Sequence, residues 1–197
     1  MNMRKMLTGA LACAMALSMS VPAFAADVET AGGNSGDIPV TVTAEAPTFR
    51  VTMPASFNIH VDANGTVTMA ETYAITNQSN GAVDVKGMTA SAAGSYKLVD
   101  FTDHQFSGDK VNARNLGLTI NGNETNDEGG IDFAGSSTMQ NDQDENYMWT
   151  GVAANDQAVA HNVIDLDVDA RVSSFNAAVD SETAANVVFT VGWYTAD

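Results

Sequence analysis

The sequence predicts an all-β protein: a single antiparallel β-sandwich of the jelly-roll type, with about nine to ten strands and little helix. Short runs in which apolar and polar residues alternate are typical of half-buried strands. Turn signals such as Asn-Gly and proline separate these runs at about every eight to twelve residues. Helical spacing of apolar residues is almost absent. The pattern is densest from Thr48 to Phe101.

The first 25 residues have the organisation of a secretory signal peptide. A basic start and an apolar run to about Val21 precede the small-residue motif Ala23-Phe24-Ala25, after which cleavage is expected. The only cysteine, Cys13, lies inside this run, so the exported chain would contain no disulfide. No other run approaches the roughly 20 apolar residues that span a bilayer. We therefore expect a secreted or cell-surface protein without stable membrane insertion.

Acidic residues dominate the exported chain. Two of the eight basic residues, Arg4 and Lys5, belong to the signal segment, so six oppose all 24 acidic residues and the net charge becomes −18. A field of this sign repels nucleic acids and anionic lipids. Nucleic acid is therefore excluded as a partner, whereas cations and basic surfaces are favoured.

The chain after the signal segment divides into a flexible arm, residues 26–37, and a single β-sandwich domain, residues 38–197. The domain begins with an alternating segment whose inward residues are Ile38, Val40 and Val42. Pro39 confines that strand to a sheet edge or an early position. A flexible arm followed by an edge strand is suited to adding a strand to a neighbouring subunit, and this predicts self-association. The alternative is that the strand pairs within its own domain.

Two hairpins are predicted from Asn-Gly turns. Asn64-Gly65 joins strands at 57–61 and 67–69, and Asn80-Gly81 joins strands at 73–77 and 83–85. Gly87 marks a bulge or bend just after the last of these strands.

The remaining elements follow from periodicity in the same way. The pattern predicts long loops over 121–146, one or two helical turns over 174–184, and strands over 96–101, 116–120, 147–152, 162–172 and 187–194.

Catalytic signatures are absent from the sequence. His60, His104 and His161 each stand alone, and there is no Gly-x-Ser-x-Gly, cysteine nucleophile or His-Glu-x-x-His motif. A hydrolytic triad would have to combine His104 or His161 with a distant serine and aspartate. We therefore expect a protein that is not an enzyme and has no organic cofactor.

Oxygen-rich loops suggest calcium as a ligand. Asp127, in the loop at 126–128, and Asp142 and Asp144, in the loop at 142–146, are the first candidate ligands. Neither loop has the glycine at position six and the acid at position twelve of an EF-hand loop. The alternative is an ordinary acidic surface loop. The alternating row Asp165, Asp167 and Asp169 places successive carboxylates about 7 Å apart, which predicts a solvated strand face instead of a cation site.

Two aromatic residues suggest a glycan platform. Tyr147 and Trp149 lie two apart on a predicted strand, and exposed rings are good stacking surfaces. The alternative is that both rings are packed in the core.

The order of these strands and turns resembles a known group. The runs Phe49-Arg50-Val51-Thr52-Met53-Pro54, Val61-Asp62-Ala63-Asn64-Gly65-Thr66-Val67-Thr68, Ile75-Thr76-Asn77-Gln78-Ser79 and Val83-Asp84-Val85 are similar to secreted surface proteins of clostridia-type Gram-positive bacteria. The Ile-Thr-Asn to Val-x-Val step also resembles the TasA and camelysin group, whose members build matrix fibres by lending an N-terminal strand to the next subunit.

The resemblance implies a jelly-roll fold and a structural role at the cell surface or in the extracellular matrix. A glycan- or calcium-binding module is the alternative function. A surface protein or polysaccharide is the corresponding partner.

Overall fold

The computed structural model describes residues 42–69, 72–126, 130–133, 137–153 and 158–195. The chain divides into two compact units, residues 1–44 and 45–197, and only residues 42–44 of the first are described. The predicted signal peptide, the arm at 26–37, and Ile38 and Val40 of the predicted assembly strand lie outside the described residues. Val42 is described, lies in coil and is 87% exposed.

The regular secondary structure of residues 45–197 is almost entirely β-strand, which confirms the all-β prediction. In the described part of this unit a short 3₁₀ turn, Phe106–Gly108, is the only helical element. In chain order the strands are β1 Val51–Thr52, β2 Ile59–Val61, β3 Val67–Met69, β4 Tyr73–Asn77, β5 Val83–Ala92, β6 Lys97–Leu98, β7 Asn115–Ile120, β8 Asn123–Glu124, β9 Ile131–Asp132, β10 Val163–Leu166, β11 Val168–Val172 and β12 Ala185–Trp193.

Four groups of paired strands account for these elements. The orders are β1-β4-β10, β11-β7-β6 with β8 also on β7, β12-β5-β9, and the β2-β3 hairpin. All of these pairs are antiparallel except β6 and β7, which run parallel through Lys97 and Leu98. The all-antiparallel prediction is therefore wrong at this one pair. Within the described part of the chain no helix is long and apolar enough to cross a membrane.

The core forms where the alternating faces of several strands meet. Its buried apolar residues include Ile75, Val83, Val85, Met88, Leu116, Leu118, Ile120, Phe133, Met139, Met148, Ile164 and Leu166. Phe133 and Met139 come from the region 121–146, where the sequence predicts long loops, and they attach that region to the core. Burying each such side chain contributes about 1.5–3 kcal/mol.

The first predicted hairpin is confirmed. Val61 pairs with Val67 across a loop in which the backbone N–H of Gly65 donates to the carbonyl of Asp62 at 3.0 Å. Gly65 has φ +82°, a conformation that glycine adopts without steric cost. Hydrogen bonds from the backbone N–H groups of Thr66 and Asn64 hold the pKa of the Asp62 carboxyl below its usual value.

The second predicted hairpin is wrong. β4 pairs with β1 and β10, whereas β5 pairs with β12 and β9, so the chain passes from one sheet to another between them. The turn around Ser79 is tied by the buried Asn77 side chain, whose Nδ2 donates to the carbonyls of Gly81 at 2.8 Å and Trp149 at 2.6 Å. The segment between β4 and β5 is therefore a corner held by the bond from Asn77 to Trp149, and not a hairpin turn.

The predicted strand over 162–172 is two strands. β10 pairs with β4 and β11 pairs with β7, and the chain changes sheet at Asp167. Asp165, Asp167 and Asp169 are all exposed, as predicted for a solvated face, but they do not lie on one continuous strand.

Three smaller predictions can also be compared with the structure. Residues 174–184 form no helix, and the aromatic segment 147–152 contributes only an isolated bridge from Met148 to Val83, so both of these predictions are wrong. The bulge at Gly87 is confirmed, because Gly87 faces Thr190 while Val85 faces Val191. A Cβ at Gly87 would lie 2.7 Å from the carbonyl oxygen of Ile131, so the close approach of β9 requires glycine.

Candidate functional site: an aromatic and acidic cluster around Glu145

The loop that carries Glu145 is closed by Asn141. The Asn141 side chain is almost completely buried, and its Oδ1 accepts hydrogen bonds from the backbone N–H groups of Gln143 at 2.9 Å and Glu145 at 3.1 Å. This is the local turn that asparagine favours. The buried side chains of Met139 and Met148 fix the two ends of the loop, and Asp142, Gln143 and Asp144 between them are exposed.

Glu145 is the centre of the site. Its carboxylate accepts hydrogen bonds from the Asn141 Nδ2 at 3.0 Å, the Trp149 indole N–H, and the Tyr147 hydroxyl at 3.0 Å. Donors favour the charged form of a carboxyl. The amide of Asn141, followed by the indole of Trp149, therefore holds the pKa of Glu145 below its usual value. Glu145 is thus a fixed anion that orients two aromatic side chains.

Tyr147 is held on both its polar and apolar sides. The hydrogen bond to Glu145 raises the pKa of the Tyr147 hydroxyl above its usual value. The Tyr147 ring stacks on Tyr194, with ring centroids 4.1 Å apart and the planes 11° from parallel. Tyr194 comes directly after β12, so this contact joins the loop to the end of the last strand.

His161 fixes the other side of Trp149. The two rings meet edge to face with centroids 4.5 Å apart, and the backbone N–H of Trp149 donates to the His161 carbonyl at 2.9 Å. The His161 Nδ1 lies 2.7 Å from Asp142 Oδ1. Trp149 nevertheless remains 41% exposed. Because its indole N–H already has an acceptor, the ring has mainly hydrocarbon surface to offer a ligand.

We call this set the Glu145 cluster; it consists of Asn141, Asp142, Glu145, Tyr147, Trp149, His161 and Tyr194.

The electrostatic environment of the Glu145 cluster is strongly negative. From Asn115 to Ala170 the sequence contains eleven acidic residues and no lysine or arginine. A ligand that stacks on Trp149 would therefore meet carboxylates with no lysine or arginine from this segment to compensate them, which disfavours anions.

The predicted glycan residues are brought together, whereas only two of the three predicted calcium residues are described. Tyr147 and Trp149 share one carboxylate, although they lie on a loop and not on the strand that the sequence predicts. Asp142 and Asp144 are both exposed, and Asp142 is engaged with His161, while Asp127 lies outside the described residues. The described residues contain no group of three or more His, Cys, Asp or Glu side chains that could hold a metal ion.

A second histidine cluster brings together the residue types of a hydrolytic triad in a different order. The Ser173 hydroxyl donates to Asp109 Oδ2 at 2.7 Å, and His104 Nε2 lies 3.0 Å from both oxygens of the same carboxylate. In a triad the histidine lies between the serine and the acid. Here the acid lies in the middle and Ser173 is buried, so the arrangement ties the 100–114 loop to β7 and β11.

Comparison with known proteins gives no match for this chain, either among protein-family models or among curated proteins and solved structures. The site is therefore interpreted from its own geometry.

Sequence reasoning misses several members of the cluster. The sequence shows Asn141 and Glu145 only as parts of an oxygen-rich region, His161 only as an isolated histidine, and Tyr194 only as a strand residue. The one local signal is the spacing of Glu145, Tyr147 and Trp149 at alternate positions, which places a carboxylate beside two rings. The contacts with His161 and Tyr194 are long-range and leave no local pattern.

Proposed function

We propose that this protein is a non-enzymatic structural component of the cell surface or extracellular matrix, exported from the cell, whose copies assemble by adding a strand to one another's sheets. The observation that carries the proposal is the edge of β12. This strand is nine residues long and contains no charged residue. Among the described residues it pairs with β5 alone.

Such an edge is unusual in a protein that remains monomeric. Edge strands are normally kept short or protected by lysine, proline or inward charges, because their free N–H and C=O groups template further pairing. β12 is rich in valine and aromatic residues, and Val188 on its outer face is 58% exposed. The chain as a whole is strongly acidic, so a neutral strand of this length is a distinct surface for pairing.

The segment around Ile38, Val40 and Val42 is the proposed donor. It alternates in the same way as β12, is uncharged from Ile38 to Thr43, and follows a Gly- and Ser-containing arm. Backbone pairing supplies the affinity of an added strand, and alternate side chains supply the specificity. The non-enzymatic part of the proposal is supported by the order of groups in the His104, Asp109 and Ser173 cluster, which does not activate the serine.

Light scattering and electron microscopy of residues 26–197 test the proposal. We expect oligomers or fibres whose size grows with protein concentration. Val188→Lys places a charge on the β12 edge strand and should leave a folded monomer. Val111→Lys is the matched control, because Val111 is 53% exposed in a turn outside the strands, and it should assemble normally.

Removal of residues 26–44 tests the donor separately. The truncated protein should fold and remain monomeric, and a synthetic peptide of residues 37–44 should bind it but should not bind a truncated protein that also carries Val188→Lys. A mature protein that is monomeric at every concentration, or that assembles equally well when it carries the Val188→Lys substitution, would show that β12 is not an assembly edge.

A further inference from the structure

We propose that the Glu145 cluster binds amine-bearing sugar chains, with Trp149 as the stacking platform and Asp142 as the group that faces the amine. This activity goes beyond the assembly proposed above and does not depend on it. It assigns a ligand to a region, residues 139–153 and 158–161, whose only described contribution to strand pairing is the isolated bridge at Met148.

The stacking platform is preorganised. A sugar ring stacks on an aromatic ring through its C–H face, and the interaction is stronger when the aromatic ring does not have to be immobilised on binding. Trp149 is held at its indole N–H by Glu145, at its backbone by His161, and at its ring by the imidazole of His161. A tryptophan that only filled the core would be buried, whereas this one keeps 41% of its surface exposed.

The carboxylates select the charge of the ligand. Glu145 already accepts three hydrogen bonds, two of them from the aromatic side chains, so its role here is to position the rings and Asp142 is the ligand-binding acid. Asp142 is different, because its side chain is 67% exposed and its bond to His161 uses Oδ1. An ammonium group near the Trp149 ring would be attracted both by the ring face and by Asp142.

The electrostatic field of the surrounding acidic residues also favours a cationic ligand. The absence of lysine and arginine between Asn115 and Ala170 leaves His161 as the one basic side chain of this segment that could pair with an acidic sugar, and its Nδ1 already lies 2.7 Å from Asp142. Uronic acid and phosphate-bearing polymers would therefore be repelled, and N-acetylated sugars would gain stacking without the charge interaction. The expected order of affinity is free amine, then N-acetyl, then acidic sugar.

Binding of residues 26–197 to short oligosaccharides, measured by isothermal titration calorimetry at mildly acidic pH, tests the proposal. The ligands are glucosamine tetramers, N-acetylglucosamine tetramers and galacturonic acid tetramers. Trp149→Ala is the decisive variant, because it removes the ring without changing the net charge. Non-specific attraction of a cationic ligand to an acidic protein would survive it, whereas stacking would not.

We expect Trp149→Ala to weaken binding of the glucosamine tetramer about tenfold or more, as loss of one stacking platform does. Phe49→Ala is the matched control, because Phe49 is an aromatic residue outside the cluster whose exposure, 42%, is nearly that of Trp149. This variant should bind the glucosamine tetramer as wild type does. Asp142→Asn should reduce the preference for the amine over the N-acetyl ligand several-fold.

Three outcomes would overturn the proposal. They are the absence of binding to all three ligands, equal binding by wild type and Trp149→Ala with both proteins folded by circular dichroism, and equal affinity for the amine and acidic tetramers. Failure of assembly by Val188→Lys has no bearing on these measurements, so the two proposals fail independently.

Discussion

Asn121 and Asp167 exchange two hydrogen bonds at the point where the chain moves between sheets. The backbone N–H of Asn121 donates to the Asp167 carbonyl at 2.7 Å, and the backbone N–H of Asp167 donates to Asn121 Oδ1 at 2.6 Å. The Asn121 Nδ2 also donates to the carbonyls of Thr138 and Asp165. One side chain thus satisfies the backbone at the break between β10 and β11.

Replacement of Asn121 should therefore destabilise the fold through two separable effects. Asn121 has φ +48°, in the left-handed region that asparagine tolerates better than alanine. Asn121→Ala loses the side-chain bonds and also adds this backbone strain. We expect a loss of about 2–3 kcal/mol in the free energy of unfolding, measured by urea denaturation.

Asn121→Gly is the matched variant. It loses the same side-chain bonds but tolerates the backbone angle, so it should be about 1 kcal/mol more stable than Asn121→Ala. Equal stability of the two variants would mean that the backbone angle carries no cost at this position.

The sequence predicts where the strands lie better than it predicts which strands pair. Apolar residues at alternate positions identify β7 and β12 from neighbouring residues alone, although the structure buries both faces of β7. Asn64-Gly65 and Asn80-Gly81 are the same local signal, but only the first makes a hairpin. The difference comes from Asn77, which bonds to the carbonyl of Trp149, 72 positions away, and no local pattern encodes that contact.

The Glu145 cluster is likewise predictable from sequence only where its contacts are local. Tyr147 and Trp149 are identified from sequence because their spacing is local. Their common acceptor is nearby in sequence, but its role depends on the buried Asn141 that shapes the loop. His161 and Tyr194 reach the rings only because β10 begins and β12 ends beside this loop.

Gly151 should tolerate no side chain. Its backbone N–H donates to the Ser79 carbonyl, and a Cβ at this position would lie 1.9 Å from the carbonyl oxygen of Asn77 and 2.4 Å from the Cα of Gln78. The neighbouring atoms are backbone and cannot move aside as a flexible side chain would. Gly151→Ala should therefore cost about 3 kcal/mol or more in thermal or urea unfolding.

Gly108→Ala is the control for this substitution. A Cβ at Gly108 would meet nothing within 4 Å, and the residue is exposed, so the change should be within about 0.5 kcal/mol of wild type. Comparable losses in both variants would indicate that the crowding at Gly151 is relieved by movement of the corner.

Substitutions of Gly65, the turn glycine of the β2-β3 hairpin, should be limited by backbone conformation alone. Gly65 has φ +82° and open space around its Cα, so Gly65→Ala introduces strain without a collision. We expect a loss of about 1 kcal/mol, and Gly65→Asn should recover part of it because asparagine adopts this region more readily. Urea midpoints of the three proteins provide the measurement, and an alanine variant as stable as wild type would contradict it.

The Asp109 network should make stability depend on pH below about pH 4. The Ser173 hydroxyl, followed by the His104 imidazole, holds the pKa of the Asp109 carboxyl below its ordinary value of 3.8. A carboxyl whose pKa is lower in the folded state contributes stability that is fully present above the unfolded pKa. That contribution is lost as the pH falls through the folded pKa.

Ser173→Ala removes the main cause of this shift. The urea midpoint of the variant should lie below that of wild type at neutral pH, and the gap should narrow as the pH falls from about 4 towards 2. It should not close completely, because Ser173 Oγ also accepts the backbone N–H of Asn115, a bond that does not titrate. Ser174→Ala, on the neighbouring exposed residue, should show a small gap that is constant with pH. A constant gap for Ser173→Ala as well would mean that the Ser173 hydroxyl does not lower the pKa of Asp109.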